Sequence, residues 1–381
     1  VRVLLLTDRI FATRERTLLV RLEVGLADEG VRVVHAVPRD AAAIAQELAT
    51  PGVFTTPVTY EASGLPLTLS LRAAKLLRTA GVDPEDEATR VDVVHVFGGS
   101  AWDMGRELAR QCGAALALEV WRAGLTTKAR AFKAPGGIAG EDPPLLFAPD
   151  PVVERLLMRE GPGPVVRTVR WGVHAPAIDE QRAVPDRPPF VAMVGGGRDR
   201  RAAGAALEGL SRVLGAFPNL VAIADAAAAR SAGLWALARK LGILHNLSLN
   251  EELEGRREMV LNADVFLHAE SGGEQRSMLL DAMAHGKVVI AAEDKSVSWL
   301  VDGRTARIVP RGDAGAWAAA IEAMLKDKAA ARALGESARL YVREHHRVSD
   351  HVAGILAAYH WLVSEDSIPI QAGRASGPGL G

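Results

Sequence analysis

Short apolar runs alternate with helical periodicity along most of the chain. VRVLLLT (1–7) has the length and β-rich composition of a buried strand. RTLLVRLEVGLADEG (16–30) spaces its apolar residues as a helix does and stops at Gly30, a residue suited to a helix end. VRVVHAV (31–37) and VDVVHVF (91–97) predict the next strands, and the second runs through a glycine turn into a helix. AALALEV (114–120) predicts another strand. Over WGVHAPAIDEQRAVPDRPPF the periodicity fails and prolines gather, which marks a linker at 171–189. The alternation then restarts. FVAMVGGG (190–197) is a strand and glycine loop, and a helix is expected over 202–217. LVAIADA (220–226), DVFLHAE (264–270) and KVVIAAE (287–293) are expected strands. Residues 315–346 predict two helices joined near Gly335. Residues 349–363 predict a last helix with Ser349 as N-cap. Repeated strand–helix–strand units predict an α/β fold of two Rossmann-like, doubly wound parallel-sheet domains facing across a cleft. Ligands of such sheets bind at the carboxyl ends of the strands.

Composition narrows the function classes. Half of the 381 residues are hydrophobic (49%), enough for two cores, and the formal net charge of -1 gives no global electrostatic footprint for nucleic acid. The single Cys112 excludes an intrachain disulfide framework and a multi-cysteine metal site, which fits a cytoplasmic protein. No apolar run reaches the length of a membrane span. The N-terminal run reads as a core strand rather than a signal peptide. The Gly- and Pro-rich tail, 367–381, has little to bury and is expected to be flexible.

Three stretches carry candidate chemistry. VGGGRDRRAAG (194–204) sets Arg198, Arg200 and Arg201 beside a glycine turn opening a helix. Guanidinium pairs bidentately with phosphate, and cations at a helix start oppose its dipole, so an anion is expected there. The plainer alternative is a solvated basic helix start. LHAESGGEQRSMLLDAMAHG (267–286) follows a strand with Ser271, Gly272 and Gly273, then a helix expected near Glu274. Backbone N–H groups there can cradle phosphate, or form an ordinary turn. In the same stretch Glu270, Glu274 and Asp281 offer carboxylates. WRAGLTTKARAFKAPGG (121–137) carries Arg122, Lys128, Arg130 and Lys133 without an acid. It reads as a solvated loop or as peripheral contact with an anionic membrane face.

Several segments together resemble the retaining GT-B glycosyltransferases, the large family of sucrose synthases and bacterial lipid and polysaccharide glycosyltransferases. NADVFLHAES, LLDAMAHGKVVIAA, WLVDGRTARIVPRGDAGAWAAAIEAML, RWGVHAP and DVVHVF carry the resemblance, which is strongest over 260–325. It implies the GT-B fold, with an acceptor domain at 1–170, a donor domain at 190–348 and a helix at 349–366 crossing back to the first domain. It implies transfer of a sugar from a UDP- or GDP-sugar to a saccharide, lipid or small-molecule acceptor. Retention is implied, with arginines and helix termini in place of a metal and no cofactor. The chain contains no Asp-X-Asp. The family's diphosphate Arg and Lys fall on Gly197 and Ala203 here, so catalysis is assigned to the neighbouring Arg198 and, if the loop is one residue shorter, to Glu274, which is otherwise an acid in a first helical turn. The resemblance assigns donor binding to Gly196, Gly197, Arg198, Arg201, Ser271, Gly272, Gly273 and Asp281, with the ribose on Asp281. Arg14, Arg16, His95 and Glu119 fall on the acceptor side. The chain also departs from the family. Asp281 replaces a glutamate, Gly273 stands where its paired glutamate falls, and TDRIFATRERT (7–17) lacks the glycines of the first loop. DKSVS (294–298) replaces a second glycine loop. A GT-B homologue without catalysis, acting as a binding or assembly subunit, is the alternative. A dinucleotide enzyme is disfavoured, because no strand runs into G-x-G-x-x-G.

Overall fold

The computed structural model describes residues 1–41, 57–132, 143–159, 165–176, 187–193, 195, 197–250 and 253–364. Among them the apolar runs form two parallel sheets. The first contains β1 (Arg2–Thr7), β2 (Arg32–Pro38), β3 (Val58–Tyr60), β4 (Val93–Phe97), β5 (Ala115–Glu119), β6 (Leu145–Ala148) and β7 (Val166–Thr168), in the order β3-β2-β1-β4-β5-β6-β7. The second contains β8 (Phe190–Met193), β9 (Val221–Asp225), β10 (Leu247–Asn250), β11 (Val265–His268), β12 (Val288–Ala292) and β13 (Arg307–Val309), in the order β10-β9-β8-β11-β12-β13. Every pairing is parallel. Strand order reverses between β1 and β4 in one sheet and between β8 and β11 in the other. These are the switch points where doubly wound sheets leave a crevice. This is the architecture of the GT-B fold.

Side-chain alternation divides the second sheet between two cores. Val191, Met193, Val265, Leu267, Ile290 and Ala292 pack into one core, and Ala192, Phe266, Val289 and Ala291 into the other. The latter core is continuous with the interior of the first domain, so apolar packing crosses the domain boundary. The last helix, Val348–Val363, packs on the Arg16–Asp28 helix and on β4, and Tyr359 is fully buried there. No helix among the described residues is long and apolar enough to cross a membrane.

Several local expectations change. The first loop folds as a helix, Arg9–Arg14, because Asp8 caps it: the carboxylate accepts from Phe11 N at 2.8 Å. The two helices after residue 313 are Ala314–Lys326 and Lys328–His345, joined at Asp327, which caps the second through Ala330 N. Gly335 is therefore mid-helix, where a Cβ would run into the backbone of Gly286. It permits close packing rather than a break. The last helix is N-capped by Arg347, which places Ser349 inside its first turn. The helix expected near Glu274 starts at Arg276, with Gln275 as N-cap at φ 57. Strands β3, β6, β7, β10 and β13 were not predicted. Most are short and lie toward the sheet edges, where the apolar signal is weak. Gly196, Lys133, most of the linker and the tail lie outside the described residues.

Candidate functional site

At the carboxyl end of β1, Asp8 occupies the first switch point. It caps Phe11 N, and its second oxygen accepts from Ser100 N at 3.2 Å and Ser100 Oγ at 2.9 Å. Gly98, at φ 102, leaves no room for a side chain against that carboxylate. At the carboxyl end of β11, Glu270 occupies the second switch point. It accepts from Gly197 N at 2.6 Å and Asp199 N at 3.4 Å, and burial pushes its pKa up. Asp199 N-caps the Arg200–Val213 helix through Ala202 N and accepts from Ser271 Oγ at 2.7 Å.

Beyond Glu270 a cleft of about 320 Å³ opens, lined by Arg14, Gly197, Arg198, Arg200 and Ser231. Glu274 is buried beside it and faces three arginines. Arg14 reaches it from the first domain, Arg122 bonds it at 2.6 Å, and Arg198 stands 3.5 Å away. Four arginines thus converge with two glutamates, leaving a cationic excess open to solvent through Arg198 and Arg200. Charges held at a half-buried site interact more strongly than in bulk water, so this excess favours an anionic ligand.

The other candidate residues fall elsewhere. Asp281 is buried against the Arg16–Asp28 helix, ion-paired with Arg21 and 3.4 Å from Thr17 Oγ1. Arg201 lies against Gly312 rather than in the cleft lining. Gly272 O accepts from Ala123 N, and Gly273 N donates to Asp294 at 2.8 Å. Arg16 is buried. His95 and Glu119 sit in the core of the first domain. His95 Nδ1 meets Tyr359 Oη at 2.7 Å, and Glu119 accepts from Trp171 Nε1 at 2.8 Å. Burial lowers the His95 pKa. Of the proposed basic patch, Arg122 faces Glu274 and Lys128 donates to Gly99 O at 2.6 Å, over the Trp102 ring.

Sequence reasoning missed the groups that join the domains. Arg276 is buried, donating to Trp121 O at 3.2 Å and Ser296 O at 2.8 Å, with Asp150 at 3.5 Å. Asp150 also accepts from Ser298 N at 2.8 Å and Oγ at 3.0 Å. Glu15, from the first domain, accepts from Arg276 N and Ser277 N of the second. Burial pushes its pKa up to about 7 against those hydrogen bonds. Residues 14–17 offered one signal, an acid among arginines in the segment between the first strand and the next helix, but spacing alone could not pair it with a helix about 260 residues away.

Residues 189–327 match the family model described as Glycosyl transferases group 1. That match falls on the second domain. It contains the cleft's Gly197, Arg198 and Arg200 and the whole Glu270–Asp281 segment. No curated protein sequence matches the chain. Among solved structures, HepE from Anabaena in complex with UDP and glucose superposes with a TM-score of 0.71, 14% identity, 94% of this chain and 99% of that one. Sucrose-phosphate synthase from Thermosynechococcus elongatus superposes at 0.69, with 17% identity and coverage of 95% and 98%. A glycosyltransferase from Rickettsia africae ESF-5 superposes at 0.68, with 13% identity and coverage of 96% and 99%. At these identities the likeness establishes the fold, which extends over both domains.

Proposed function

We propose that the chain transfers a sugar from a UDP- or GDP-sugar to an acceptor hydroxyl, with retention at the anomeric carbon and without a metal. The convergence of Arg14, Arg122 and Arg198 on Glu274 beside an open, arginine-lined cleft carries this reading. HepE has been solved with UDP and with UDP-glucose, and MnaA from S. aureus with UDP, which supports a uridine diphosphate as ligand class. In the transfer, the bond from the anomeric carbon to the β-phosphate oxygen breaks, one to the acceptor oxygen forms, and the acceptor hydroxyl's proton passes to the departing diphosphate. Arg198 and Arg200 stabilise the negative charge left on the diphosphate. In this reading Glu274, paired with its arginines, accepts from donor-sugar hydroxyls. The acceptor, a saccharide, lipid or small molecule, enters from the first domain. Incubation with a panel of UDP- and GDP-sugars, with and without EDTA, followed by NMR of the product's anomeric proton, tests all three parts. No turnover with any donor overturns the reading. Loss of activity in EDTA overturns metal independence, and an inverted product overturns retention.

One observation favours a second reading, a GT-B protein that binds or assembles without catalysis. Glu270 and Glu15 already bond to backbone amides beside the cleft and at the start of the Arg276 helix. That reading predicts neither turnover nor a thermal shift with UDP.

A further inference from the structure

Glu15 stands at the joint between the Arg9–Arg14 and Arg16–Asp28 helices and is completely buried. Both of its oxygens serve the other domain. Oε1 accepts from Arg276 N at 3.1 Å, and Oε2 accepts from Ser277 N at 2.9 Å and Ser277 Oγ at 2.6 Å. The helix it caps has no side-chain hydrogen bond from its own N-cap residue, Gln275. Helix caps ordinarily come from the preceding residue. Here the cap comes from across the domain boundary, and its neighbours follow it. Arg14 pairs with Glu274, while Thr17 and Arg21 reach Asp281, so one segment of the first domain runs along the start and body of the Arg276 helix.

Two further bridges cross the boundary away from Glu15. Ala123 N donates to Gly272 O at 3.1 Å, and Ser298 N donates to Asp150 at 2.8 Å. Their alignment depends on the position of the Arg276 helix, because Arg276 itself reaches Trp121 O and Asp150. We propose that Glu15 is the latch that holds the two domains closed, and that the whole seam opens as a unit when its carboxylate leaves the Arg276 and Ser277 amides. The closed form without that carboxylate keeps two buried N–H groups of a helix start unpaired, whereas the open form gives them to water. Removing the carboxylate therefore acts against closure specifically. The latch does not depend on the ligand or the chemistry of the cleft.

Amide hydrogen exchange on the full chain tests this, comparing wild type with Glu15→Ala. The expected result is exchange faster by about tenfold or more at Ala123 and Ser298 as well as at Arg276 and Ser277. Amides in β1 and β11, inside each domain, keep their wild-type protection. Acceleration confined to Arg276 and Ser277 makes Glu15 a local cap and overturns the proposal. Equal acceleration in β1 and β11 means global destabilisation and also overturns it. Should Glu15→Ala fail to fold, Ser277→Ala, which removes one of the three bonds, is read at the same four amides by the same criteria.

Discussion

The two switch points solve the same geometric problem in different ways. In the first domain Asp8 sits between β1 and β4 and satisfies Phe11 N, Ser100 N and Ser100 Oγ, with Gly98 packed directly against it. That carboxylate is taken up by groups of its own domain. In the second domain Glu270 sits between β8 and β11 and takes the amides of the glycine loop, but the space beyond it is open and lined by arginines. A buried carboxylate therefore does not by itself mark a site. What separates the two is the unspent positive charge around Glu270.

Breaking the junction between the regions should have the largest effect. Arg276→Met leaves Asp150 buried beside Ser298 without its cation and should lower unfolding stability by about 3–5 kcal/mol, read by urea titration. A loss below 1 kcal/mol would mean that the domains stand independently of this pair.

Acid should act through the buried histidines of both regions, His95 in the first among them, and through the crossing helix. Burial lowers the pKa of His268, at the end of β11, and of His346 to about 4, and that of His351 to about 3. Each folded-state pKa lies below the ordinary 6.5, so the unfolded chain takes up protons first. Stability is present above 6.5 and lost as pH falls toward 4, at up to about 1.4 kcal/mol per pH unit for each histidine. Urea midpoints at pH 7 and pH 5 check this, and His351→Gln should flatten the dependence.

Gly335→Ala gains helix propensity yet forces a Cβ onto the Gly286 backbone, and should cost about 1–3 kcal/mol by thermal melting. The comparison itself is sharpened by a pair of conservative changes. Glu270→Gln keeps an acceptor for Gly197 N while removing a negative charge beside the cleft, and should tighten UDP binding by about threefold to tenfold. Asp8→Asn should leave UDP affinity unchanged and, because Asn caps a helix about as well as Asp, should cost less than about 1 kcal/mol of stability. Equal effects on affinity would erase the distinction between the two switch points.

Much of this was legible in the chain. The apolar runs that became β1, β4, β8, β11 and β12 are long enough to identify both sheets, and the glycine turn before Arg198 identifies the second crevice. Gly335 was not legible as a packing residue, because a glycine that ends a helix and one that admits a neighbouring backbone look alike in sequence. The first loop became a helix because Asp8 caps it, a role that its position after a strand obscured. Within the candidate site, Arg198 and Glu274 are brought together, while Asp281 meets Arg21 and Arg201 meets Gly312. Spacing along one helix places residues on a face, but it cannot say that a second domain covers that face. Glu15 and Arg276 stayed hidden for the same reason, since their partners lie across the boundary.

The central claim is that the arginine-lined cleft of the second domain holds a nucleoside diphosphate. Isothermal titration of UDP and GDP into wild type and Arg198→Ala tests it most directly, because Arg198 is half-exposed and its loss should leave the fold intact. The account predicts saturable one-to-one binding of one of the two nucleotides, weakened about tenfold or more by Arg198→Ala. No binding of either nucleotide, or binding indifferent to Arg198, would contradict it.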